Sequence, residues 1–86
     1  MSTTTNAPRP ISTIAAEIRK EWFKQPKGIH FAAKPYLGAM FALNHISDDY
    51  GCDSGRSIVA YFLGNASTFR GEKAKALKAE LKAMIK

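Results

Sequence analysis

Eighty-six residues carrying thirteen Lys and Arg against seven Asp and Glu, a formal charge of +6, describe one small domain that buries a smaller share of its surface than a larger chain can, which leaves a homo-oligomer among the expectations. With 45% apolar and 23% charged residues the composition is globular and excludes the disordered class. The charge favours an anionic partner, whether nucleic acid, an acidic protein face or a lipid surface, unless it serves solubility alone.

Residues 1–10, MSTTTNAPRP, are polar with two prolines and no apolar period, so a disordered N-terminal tail is expected there. Arg9 can add a phosphate contact as basic arms do, against the alternative of plain solvation. From Ile11 the pattern changes. Ile11, Ile14, Ala15, Ile18 and Trp22 recur at three-and-four spacing and predict an amphipathic helix whose start Ser12 or Thr13 caps, with Trp22 as a core anchor and Glu17, Arg19 and Lys20 off the stripe. Gln25, Pro26, Lys27 and Gly28 break it. The next segment, GIHFAA at 28–33, reads equally as a strand or a loop, with His30 as a packing or hydrogen-bonding residue.

Pro35 suits the first turn of a second helix, whose stripe Tyr36, Ala39, Met40, Leu43, Ile46 and Tyr50 predicts that it runs to the acidic end Asp48, Asp49. Leu37 and Phe41 widen that stripe and predict a largely buried helix. Gly51 terminates it, and Asp53 or Ser54 caps the next. The apolar run 58–63, IVAYFL, carries strand-like residues between helix-like flanks. A helix over 54–65 is the preferred reading, with Ile58, Tyr61, Phe62 and Asn65 inward, buried between two neighbours in the middle of the bundle. Residues 70–86 form the plainest helix: Ala74, Leu77, Leu81, Met84 and Ile85 make its core stripe, while Lys75, Lys78, Lys82 and Lys86 share one face as a basic ridge about 16 Å long.

Other chemistry finds little footing. No segment approaches the roughly 18 apolar residues of a membrane span, the N-terminus lacks the apolar stretch of a secretory signal, and one cysteine, Cys52, allows no intramolecular disulfide. An intracellular protein without a membrane partner is the expectation. The acidic loop of Asp48, Asp49 and Asp53 does not follow the calcium-loop pattern, His30 and His45 lack the spacing of a helical metal pair, and the serine of GCDSG is displaced from a nucleophile elbow. The chain is therefore expected to be non-enzymatic, with no cofactor and no metal.

The strings PYLGAM and DDYGCDSGRSIVAYFLGNASTFRGEKAKALKAELKAMI together resemble a family of short proteins carried by bacteriophages and other mobile elements. The recurring features are an aromatic-leucine helix start, a YG-x-D-S loop, an N-A-S-x-[WF]-R-G turn with Phe69 in the aromatic place, and a basic C-terminal helix. The resemblance spans residues 11–86 and departs from the family in the longer loop over 24–34. It implies a small phage accessory protein in the cytoplasm of a bacterial host, and brings no catalytic motif with it.

The combined expectation is an all-α fold: a small bundle of about four helices over residues 11–86. It associates with nucleic acid through the C-terminal helix, using Lys75, Lys78, Lys82 and Lys86 with Lys73, Arg70 and Arg56, so that charge reversal at Lys78 and Lys82 abolishes binding. The alternative is a protein-binding inhibitor of a host machine or bacterial defence system, using exposed aromatics. A third reading places a small molecule beside Tyr36, Tyr61 and His45.

Overall fold

The computed structural model describes residues 9–85. Of the expected tail only Arg9 and Pro10 fall within them, and Lys86 lies outside. Four helices, α1 (Ile11–Phe23), α2 (Lys34–Met40), α3 (Gly55–Gly64) and α4 (Glu72–Ile85), are joined between α2 and α3 by a short antiparallel pair, β1 (Asp49–Tyr50) and β2 (Asp53–Ser54). The fold is thus mostly helical but not all-α. The YG-x-D-S loop makes the difference. Gly51 takes φ 62° while no other residue type among those described has positive φ, so Gly51 and Cys52 close a two-residue hairpin of the glycine-first kind. Ser54 then leaves the strand as the cap of α3, its side chain accepting from the Ser57 N–H at 3.1 Å, as its residue type predicts.

Two helix ends are finished by main-chain carbonyls from one segment. The expected caps Ser12 and Thr13 are not used: Pro10 holds the cap position of α1, and the Ile11 and Ser12 amides donate to the carbonyls of Asn44 (3.1 Å) and Leu43 (2.8 Å). At α3 the Gly55 and Arg56 amides donate to Asp48 (2.6 Å) and Ile46 (3.1 Å). This closeness explains Gly55, because a Cβ there would meet the carbonyl oxygens of Ile46, Asp48 and His45 at 2.9 to 3.0 Å. Main chain cannot give way as a side-chain tip can, so Gly55 is required by packing.

That segment exists because α2 is short. Its stripe predicts a helix to Tyr50, yet it ends at Met40. The amides of Phe41, Ala42 and Leu43 tighten onto the carbonyls of Gly38, Ala39 and Met40, and the Asp48 carboxylate then draws in the Asn44 and His45 amides at 3.0 and 3.1 Å. Those two bonds hold Asp48 below the ordinary carboxylate range and give the acidic residue a local partner in place of an unfavourable helix terminus. The 28–33 segment is a turn in which the Ala32 N–H donates to His30 Nδ1 at 3.0 Å.

The helices close a ring in which α1 and α3 each pack on α2 and α4; α3 thus has the two neighbours expected of it, but Arg56, Ala60 and Tyr61 are exposed, so it is a wall of the ring and not its centre. The predicted stripe of α1 is wholly buried and faces Ile58, Val59 and Phe62 of α3 and Leu77 and Leu81 of α4 across one core. Trp22 anchors it, stacked on Phe69 with centroids 5.1 Å apart and edge-on to Phe62 at 6.1 Å, each pair contributing about 1 kcal/mol beyond burial. The aromatic of the N-A-S-x-[WF]-R-G turn is therefore a core residue. Tyr61, expected inward, is 54% exposed and lies against Tyr36 at 5.5 Å.

Candidate nucleic-acid interface

Helix α4 presents its cations on two flanks. On the flank facing α1, Lys73 Nζ stands 3.8 Å from Glu21, and Glu80 receives Arg9, which also pairs with Glu17. The arginine hydrogen bond holds Glu17 below its usual value. These contacts tie α1, α4 and the chain's entry together through opposite charges, so Arg9 is a brace between helices within the fold.

The other flank faces the α3–α4 loop and carries Lys75, Lys78 and Lys82. Together with Phe69, Arg70, Gly71 and Ala79 they line a groove of about 460 Å³. A second groove of about 500 Å³, between 25–27 and 68–71, shares Arg70 and Gly71 with it, so the two adjoin there as the arms of a basic channel. The channel contains Lys27, Arg70, Lys75, Lys78 and Lys82 and no carboxylate. Its walls are fixed in place. The Gln25 side chain takes both polar groups of the Arg70 main chain, accepting from its N–H at 3.2 Å and donating to its carbonyl. Lys78 Nζ donates to the carbonyls of Phe69 (2.7 Å) and Ala66 (3.1 Å) and lies 5.9 Å from the Phe69 ring centroid. Partial burial, and then the nearby charges of Lys82 and Arg70, push the Lys78 ammonium down from its usual value. That mutual repulsion marks positive charge without an internal counter-ion.

The structure thus brings Arg70, Lys75, Lys78 and Lys82 of the predicted set together. It places Lys73 on the paired flank. Arg56 lies at the start of α3, where its guanidinium donates to the carbonyl of Ile85 and finishes the C-terminal end of α4, a location cations favour. Lys86 lies outside the described residues. Lys78 is part of the loop's framework, so reversing its charge would disturb the fold as well as the surface; Lys75 and Lys82 are the clean pair. Lys27 belongs to the channel and was not predicted, because nothing about a lysine in a Pro-Lys-Gly turn shows that the turn lies beside α4.

A separate groove of about 640 Å³ runs along the outer side of α1, lined by Ala16, Arg19, Lys20, Phe23, Lys24, Ile29 and Phe41. Phe23 is 76% exposed and Phe41 38%, and the Arg19 guanidinium lies 5.3 Å from the Phe41 ring centroid. The stripe of α1 holds the signal that was missed: Phe23 follows Trp22 by one residue, a turn of about 100° that carries it off the buried face. Phe41, expected to be buried, is exposed because α2 has already ended.

The small-molecule reading is not assembled: Tyr36 and Tyr61 pack on each other, whereas His45 lines a separate cavity of about 210 Å³ with Arg9 and Met84. Cys52 is exposed in the hairpin turn. Among the described residues no helix is long and apolar enough to cross a membrane and no group of three candidate metal ligands converges. No protein-family model matches the chain, and no curated protein or solved structure matches it.

Proposed function

We propose that the protein binds nucleic acid by taking the sugar–phosphate backbone into the channel between α4 and the two loops beside it, as a non-enzymatic accessory factor acting in the bacterial cytoplasm. The observation that carries this reading is the lining itself: five cations and no carboxylate across two adjoining grooves, while Glu17, Glu21 and Glu80 pair with cations elsewhere and Asp48 caps a turn. Lys75 and Lys82 are separated by about 10 Å along the helix, the rise of about three base steps. The exposed cations Lys27, Arg70, Lys75 and Lys82 supply phosphate contacts without reading sequence, since backbone contacts position a protein and base contacts specify. The resemblance to short phage-borne proteins supports an accessory role.

The test is a salt titration of binding to a labelled duplex. Four phosphate contacts give a slope of log affinity against log salt of about −4. The Lys75→Glu/Lys82→Glu protein loses on the order of 100-fold in affinity at low salt while its melting temperature stays put. A flat salt response, or a double variant that binds as well as the parent, refutes the reading.

The second reading, a protein-binding inhibitor of a host machine or defence system, draws on the exposed phenylalanines beside α1, because unpartnered aromatic surface is characteristic of protein interfaces. A host protein held in stoichiometric amount through nuclease and raised salt would favour it over the channel.

A further inference from the structure

We propose that the nucleic acid taken by this chain is single-stranded, with its bases unstacked onto the aromatic groove of α1 while its phosphates follow the basic channel; this rests on the channel reading above and names its substrate. The two surfaces adjoin in the chain, because Lys24 lines the aromatic groove and the next residue, Gln25, lines the channel. The groove combines two aromatic rings with three cations. Arg19, Lys20 and Lys24 line it with Phe23 and Phe41, and of these cations Lys24 also meets Glu21 at 3.7 Å. A single strand presents a complement to each, base beside phosphate, and base–aromatic stacking flanked by phosphate contacts is how sequence-tolerant single-strand binders hold it.

The phenylalanines would have no role on a duplex, whose base faces are covered by their neighbours and become available only after costly unstacking. An acidic peptide would satisfy the cations but offers the rings a planar partner only where it carries an aromatic side chain, whereas every nucleotide of a single strand carries one. Arg19 is set by its position over Phe41 and has no carboxylate partner among the described residues, so a guanidinium and two rings stand ready for stacking.

The experiment measures fluorescence anisotropy of the full chain with labelled oligothymidylate of about 16 nucleotides and with a duplex of the same length. The parent protein is expected to bind the single strand at least about tenfold more tightly than the duplex. Phe23→Ala/Phe41→Ala should lose about tenfold or more on the single strand and stay within about twofold on the duplex, while Phe23→Tyr/Phe41→Tyr keeps both affinities. Far-ultraviolet dichroism and the emission of Trp22, which is fully buried, verify that each variant is folded. Equal loss on both ligands, or undiminished single-strand binding by the alanine protein, overturns the stacking proposal and leaves the channel standing. Binding to neither ligand by the parent overturns both.

Discussion

The two flanks of α4 carry the same residue type to different ends. Toward α1, Lys73 faces Glu21 and Glu80 holds Arg9, so charge there joins one element to another. Toward the α3–α4 loop, Lys75 and Lys82 have no carboxylate partner among the described residues and share their groove with Arg70 and Lys78. Helix periodicity sees only that lysines recur and that a face is polar. Which cations remain for a ligand is decided by what each flank packs against, and α1 brings its carboxylates, Glu17 and Glu21, to one side only.

Lys78 offers the sharpest way to break the distinction, since it stands on the binding flank and yet holds the fold. Replacing it by methionine keeps the stem and removes the ammonium from two carbonyls. Loss of a charge-assisted contact of this kind should cost about 2 kcal/mol, or about 10 °C in melting temperature for a chain of this size. Calorimetry that finds Lys78→Met as stable as the parent would make Lys78 an ordinary surface lysine and the channel floor less firmly built than described.

A smaller effect is expected on the paired flank. Glu80→Gln separates Arg9 from α4, and because both partners are substantially exposed the loss should stay below about 1 kcal/mol, with duplex affinity unchanged. Lowering the pH probes the same brace through Glu17, whose folded value lies below its ordinary 4.5, and the α2–α3 turn through Asp48, held below its ordinary 3.8. A depressed carboxylate adds stability in full above its unfolded value and loses it as pH falls through the folded one. Thermal melts should therefore hold steady at neutral pH and weaken below the carboxylate range. Melting temperatures that rise on acidification would contradict both assignments.

Much of the frame was legible in the sequence because burial was periodic: the α1 stripe Ile11, Ile14, Ala15, Ile18 and Trp22, the helical reading of 58–63, and the α4 stripe through Leu77 and Leu81 all appear in the core. The end of α2 was not legible, because it is set by Asp48 hydrogen-bonding back to Asn44 and His45, a contact that the apolar pattern does not encode. Nor were the α1 caps, which come from carbonyls some thirty residues away in the chain. The candidate site was half legible for the same reason. Arg70, Lys75, Lys78 and Lys82 follow from helix geometry and the turn beside it, whereas the internal roles of Lys73 and Arg56, and the presence of Lys27, depend on tertiary neighbours.

The most direct test of the difference between the flanks compares two single substitutions, Lys82→Gln and Lys73→Gln, each removing one positive charge from α4. The quantity measured is the slope of log affinity against log salt for an oligonucleotide. If the loop-facing flank is the binding surface, Lys82→Gln reduces the magnitude of that slope by about 1 and Lys73→Gln leaves it unchanged. Equal reductions by both would mean that the protein responds to net charge alone, and the channel would lose its claim to be a site.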